Sequence, residues 1–219
     1  MSSPRPDFAA LVRRRLESGQ PIASDANPAR IGNSILAQLT RRDDESPSRR
    51  IRGSALGKCA RALAYRWHGR AAAGRTMDAR TKMTFAMGDM AEHLLVTTLD
   101  DALLGLDDLG GWSLQDVRTT TGQAGVDLQL LPPSGMVSIP GHPDGILCYR
   151  GKPAAVLEVK SMSGRSFGTV EKRLSHGPGW GPDDSYWWQL QGYCDALKLP
   201  GYVLVVSKDS GVVAGWWQE

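Results

Sequence analysis

Cysteine is scarce in this 219-residue chain. There are three, Cys59, Cys148 and Cys194, far apart and odd in number. That excludes a disulfide framework and fits thiols kept reduced in a cytoplasm. Long apolar runs are also missing: no stretch of 18 apolar residues occurs, so no helical membrane span is expected. The opening residues Met1-Ser2-Ser3-Pro4-Arg5-Pro6 have none of the apolar core of a secretory signal. Nor is there a lopsided charge, since 26 basic and 23 acidic residues leave a net +3.

What is present suits a globular α/β domain. Hydrophobic residues make up 41%, enough for one sizeable core. Residues 1–50, rich in Pro, Ser, Arg and Asp, read as an N-terminal arm, partly flexible, ahead of a domain at 51–219. Within the arm, helices are expected over 8–16 and 31–39, and a linker over 41–50. Basic residues are unevenly spread: 49–82 holds ten Lys or Arg and one acid, Asp78. Such a block is either a solvated face or a phosphate-binding surface.

Ser54 has the character of an N-cap. The helix expected from it carries Leu56, Cys59, Ala60, Leu63 and Trp67 as an apolar stripe, which makes Cys59 a core residue. Lys58, Arg61 and Tyr65 then share another face. A long helix is expected over 77–104, with Phe85, Gly88, Leu95, Leu99 and Leu103 on its buried side. Glu92 falls in the middle of that side, where a carboxylate needs a partner. His93 lies to one side of it. Strand signals follow at 112–120, 126–131, 136–139, 144–149 and 154–160, then at 202–207 and 212–217. Helices are expected at 167–174 and 186–197. His142 and Trp180 sit in breaker-rich loops; Trp180 is read either as loop packing or as a surface on which a base stacks.

The chemistry concentrates in one hairpin. Gly141-His142-Pro143-Asp144 leads into an apolar strand, and Ala155-Val156-Leu157-Glu158-Val159-Lys160 follows a turn at 150–153. A near-continuous apolar run suits a strand buried on both faces, where a lone charge is costly. Glu158 and Lys160 are two residues apart and so share a face. Asp144 arrives from the neighbouring strand. Two carboxylates and a lysine at a sheet rim suit a hard divalent cation and an activated water.

These residues resemble the PD-(D/E)XK nuclease superfamily. Three further stretches resemble its RecB-like and lambda-exonuclease-like branch: Ser54 to Tyr65 with Cys59 and Arg61, Gly88-Asp89-Met90-Ala91-Glu92, and Gln189-Leu190-Gln191-Gly192-Tyr193. The resemblance spans 54–193. It implies a restriction-endonuclease-like core, a central mixed sheet flanked by helices, and a Mg²⁺-dependent deoxyribonuclease, with Mn²⁺ as a substitute. Asp144, Glu158, the Val159 carbonyl and Glu92 would hold the metal, with His93 as the alternative to Glu92. Lys160 would orient water or steady charge on the phosphate, and Gln189 and Tyr193 would position the catalytic groups. Lys58, Arg61, Tyr65 and Ser161 would contact DNA. Three cysteines fall short of the four an iron–sulfur cluster takes, so none is expected. The resemblance implies an exonuclease in phage or bacterial recombination or repair. An endonuclease and a non-cutting DNA-binding protein stand as alternatives. DNA is the expected partner; the resemblance also admits a homo-oligomer or a recombination partner protein.

Overall fold

The computed structural model describes residues 5–20, 36, 51–69, 78–105, 111–115, 126–130, 137–181 and 184–218. The helix expected over 31–39 and the linker over 41–50 lie outside them, Leu36 excepted.

The chain builds a five-stranded mixed sheet with helices on both faces. Helix α1 is Phe8–Glu17, α2 is Ala60–Trp67 and α3 is Ala79–Leu104. The strands are β1 (Trp112–Gln115), β2 (Val126–Leu130), β3 (Val137–Gly141), β4 (Gly145–Tyr149), β5 (Lys152–Met162), β6 (Gly201–Ser207) and β7 (Val213–Gln218). Helices α4 (Gly164–Leu174) and α5 (Ser185–Leu197) connect β5 to β6. The sheet order is β1-β4-β5-β6-β7, and β2 and β3 form a separate pair. Among the described residues only β5 and β6 run parallel, which is why a long crossover, with two helices, lies between them.

Side-chain alternation divides the core. Leu157, Val159, Tyr202 and Leu204 pack with α1 and α3 on one face. Val156, Met162, Val203 and Val205 pack with α4, α5 and Ile139 on the other. Residues Ala155, Val156, Leu157 and Val159 are fully buried, as a central strand covered on both sides requires. Phe8 locks α1 down with edge-on contacts to Trp112 and Tyr202 at 5.2 and 4.9 Å. The Phe8–Glu17 portion of the arm is therefore packed into the domain.

The β4–β5 turn is tighter than expected over 150–153: Tyr149 already pairs with Lys152. Its two central residues, Arg150 and Gly151, have φ of 50° and 73°, the left-handed pair that matches hairpin twist. β3 runs on through Pro140 to Gly141, where breakers were expected. Among the described residues β3 pairs only with β2, and a strand edge tolerates a proline.

Two expectations need correction. No helix starts at Ser54. Gly53–Ala55 form a 3₁₀ turn, Gly57 takes φ of 73°, and α2 begins only at Ala60. Trp188 Cδ1 would lie 2.6 Å from a Cβ at Gly57, so this glycine also admits α5. Cys59 is consequently exposed rather than in the core, and Lys58 lies off the helix. Phe85 is also exposed, at 52%. Gly88, a turn later, already abuts Ser161 near the end of β5, so Phe85 projects past the sheet.

Candidate active site at the edge of strand β5

β4 begins at Gly145, which pairs with Leu157. Past that point β5 continues without β4 beside it, and carboxylates take over its edge. The Asp144 N–H donates to Leu157 O at 3.2 Å, and Asp144 Oδ2 accepts from Val159 N–H at 2.7 Å. Two residues on, Glu92 Oε1 accepts from the Ser161 N–H at 3.0 Å and its hydroxyl at 3.2 Å. Gly88 permits this approach of α3: a Cβ there would meet Ser161 Oγ at 2.9 Å. A strand residue's N–H and C=O point to the same side, so the Val159 carbonyl also faces the Asp144 side.

Glu158 and Lys160 project from β5 toward α5, as their two-residue spacing predicts. Glu158 is fully buried, and Lys160 Nζ lies 2.5 Å from its Oε1. Among the described residues no hydrogen bond reaches Glu158 Oε2. Burial pushes the Glu158 carboxyl up to about 7; Lys160 opposes the rise, and Asp144 and Glu92 add to it. Burial also raises Glu92, with Lys160 opposing. For Lys160 burial favours the neutral amine, but Glu158, Asp144 and Glu92 outweigh it and hold the lysine charged above its ordinary range. One lysine thus sits among three carboxylates that reach it from both faces of the sheet.

α5 backs this cluster. Gln189 Nε2 donates to the Tyr193 hydroxyl at 3.3 Å, one helical turn apart, and the same oxygen accepts from the His142 N–H at 3.3 Å. Tyr193 is buried and braces the loop that carries Asp144. Its ring fits because residue 141 is glycine: a Cβ there would lie 2.4 Å from Cε1. Burial raises the Tyr193 hydroxyl to about 12, keeping it protonated as a donor and acceptor.

The expected groups divide into two sets. Asp144, Glu158, Val159, Lys160, Ser161, Glu92, Gln189 and Tyr193 come together. Lys58, Arg61 and Tyr65 do not join them; all three are exposed, Arg61 and Tyr65 one turn apart on α2. The His142 side chain is exposed. Trp180 is 2% exposed, packed edge-on against Trp216 at 5.0 Å, and offers no stacking face to a base. Two neighbours went unread in the sequence. Tyr186, on the first turn of α5, has its ring centroid 5.8 Å from Lys160 Nζ. Lys208 Nζ would lie 4.0 Å from a Cβ at Gly88, beside Ser161. The i, i+3 and i+7 spacing from Tyr186 to Gln189 and Tyr193 was the available signal for the first; the second is 48 residues from Lys160 and had none.

A divalent cation can be tested against these donors. Among the described residues no three His, Cys, Asp or Glu side chains gather as a metal cage would need. A Mg²⁺ site needs less, one or two carboxylates with water. Glu158 Oε2, which no hydrogen bond reaches among the described residues, together with Asp144 and the Val159 carbonyl on the same stretch of β5, supplies that much.

No protein-family model matches the chain, and no curated protein does. Among solved structures it is similar to the crystal structure of SSO0001, at 15% identity and a TM-score of 0.45, over 86% of this chain and 74% of that one. No helix among the described residues is long and apolar enough to cross a membrane.

Proposed function

We propose that this chain is a metal-dependent deoxyribonuclease on a restriction-endonuclease-like core, acting from DNA ends. The observation that carries the reading is the gathering at the β5 edge of Glu158, Asp144 and Glu92, all three acting on Lys160, with a buried Glu158 oxygen that no hydrogen bond reaches among the described residues. Gathering three carboxylates in a low-dielectric site costs a fold more than apolar packing would. Asp144, Glu158 and the Val159 carbonyl would hold Mg²⁺ or Mn²⁺, with Glu92, held at Ser161, binding directly or through water. The bound cation would polarise the phosphate and acidify a water.

The chain's own residues do the rest. Lys160, kept charged by its three acids, presents a fixed cation where negative charge grows on the phosphate oxygens. Tyr193, steadied by Gln189, holds the His142 backbone and with it the approach of Asp144. Gly88 and Ser161 set the height of Glu92 against the strand. Arg61, exposed on α2, is the group proposed to recognise a terminal phosphate through its guanidinium fork.

The test incubates the full chain with linear and closed circular duplex, with Mg²⁺ or with chelator. The proposal expects Mg²⁺-dependent loss of the linear form, a spared circle, and no cutting by Glu158→Gln. Equal cutting of the circle would replace the exonuclease reading with an endonuclease. Binding without cutting under any divalent cation would leave a DNA-binding protein.

A further inference from the structure

Helix α4 leaves the catalytic strand after one residue, Ser163, whose hydroxyl caps it at Ser166 N–H. Phe167, Val170 and Leu174 form its inner side, the first two buried and Leu174 packed against the same core. At 100° per residue the direction opposite that side is occupied by Arg165, Gly168, Thr169 and Lys172. Arg165, Thr169 and Lys172 are exposed, and among the described residues neither cation has an ion-pair partner. The nearby acids are turned away. Asp209 accepts from the Gly164 N–H at 2.6 Å, Asp184 pairs with Arg173 at 2.5 Å, and Glu171 falls about 100° to one side of Lys172. Nothing described lies within 4 Å of a Cβ built on Gly168, so the middle of the stripe is open.

We propose that this face of α4 carries the phosphate backbone of DNA away from the β5 edge. The proposal rests on the nuclease reading and adds a path for the substrate. Arg165 and Lys172 are separated by about 10 Å along the helix axis, at about 1.5 Å per residue. That matches about three base-pair steps along the duplex axis, at roughly 3.4 Å of axis per phosphate of one strand. The small Gly168 between them lets the backbone lie close to the helix. The alternative is a solvated face that an amphipathic helix presents in any case.

Gly168 supplies the deciding variant. Gly168→Glu sets a carboxylate between the two cations, where there is room, and replaces the poorest helix former but proline with a good one. Binding of a labelled duplex by the full chain is followed by anisotropy in chelator across a salt series, with thermal melts alongside. Gly168→Glu is expected to melt no lower than wild type and bind at least about tenfold more weakly, while Gly168→Ala binds normally. Arg165→Ala/Lys172→Ala is expected to flatten the log–log salt slope by about 1.8, roughly 0.9 per lost phosphate contact. Wild-type affinity and slope in both variants would overturn the path and leave the nuclease reading standing. Failure of the wild type to bind or cut DNA would overturn both.

Discussion

Two buried ion pairs in this molecule have opposite arithmetic. Arg15 and Asp101 join α1 to α3, with side chains 17% and 8% exposed. There the guanidinium also donates to Ser18 Oγ and the Gln20 carbonyl, so among the described residues one cation meets one anion and neutral acceptors. Lys160 and Glu158 are at least as buried, 17% and 0% exposed, yet two more carboxylates act on the lysine and, among the described residues, no hydrogen bond reaches Glu158 Oε2. A balanced pair is what a fold needs to tolerate buried charge. An unbalanced one stores a deficit that an incoming cation can fill. Burial does not separate the two sites; the surplus of like charge does.

The largest expected effect is on turnover. Glu158→Gln should lower Mg²⁺-dependent cleavage by about a hundredfold or more, the scale of one preorganised electrostatic group. Its melting point should not fall, because it removes surplus negative charge. Asp101→Asn should do the reverse. Stranding Arg15 costs about 3 kcal/mol of stability, read by denaturant titration, while turnover per folded molecule holds. If both variants lose stability alike, the contrast between the pairs is empty.

Titration sharpens the same contrast. The folded Glu158 carboxyl sits above its ordinary range, at about 7, so its protonated form favours folding. That contribution is complete below the ordinary carboxyl range and is lost as pH rises through about 7. Wild type should therefore gain stability relative to Glu158→Gln as pH falls from 8 to 5, measured by paired melts at each pH. A parallel pair of curves would contradict it. Cation binding should weaken below pH 7, because the carboxylate must shed its proton.

Smaller effects probe the brace behind the site. Gly141→Ala sets a methyl against the Tyr193 ring and should cost about 1–3 kcal/mol by overpacking. Tyr193→Phe removes the oxygen that receives Gln189 and the His142 N–H, for about 1 kcal/mol and a modest loss of rate. If Tyr193→Phe matched Glu158→Gln in its effect on rate, Tyr193 would be part of the chemistry rather than its support.

The legibility of this site follows from periodicity. The two-residue spacing of Glu158 and Lys160 and the four-residue spacing of Gln189 and Tyr193 are local rules, and each pair does share a face. Glu92 was legible as a carboxylate on a buried helical side, but not its bond to Ser161, which depends on how far Gly88 lets α3 descend. Local rules failed where one residue changed the backbone. Gly57, in a left-handed conformation, breaks the helix read from Ser54, moving Cys59 to the surface and Lys58 off the helical face. Lys208 was invisible because the parallel pairing of β6 with β5, which carries the Lys208 N–H to the Met162 carbonyl, and not sequence proximity, brings it beside Ser161.

The most direct measurement is Mn²⁺ binding by the wild-type chain, Glu158→Gln and Asp101→Asn, followed by calorimetry at pH 7 and pH 8, each in two buffers of different ionisation heat. The account predicts that Glu158→Gln binds at least about tenfold more weakly, that Asp101→Asn binds as the wild type does, and that wild-type binding releases more protons at pH 7 than at pH 8. Equal affinity in all three proteins would contradict it.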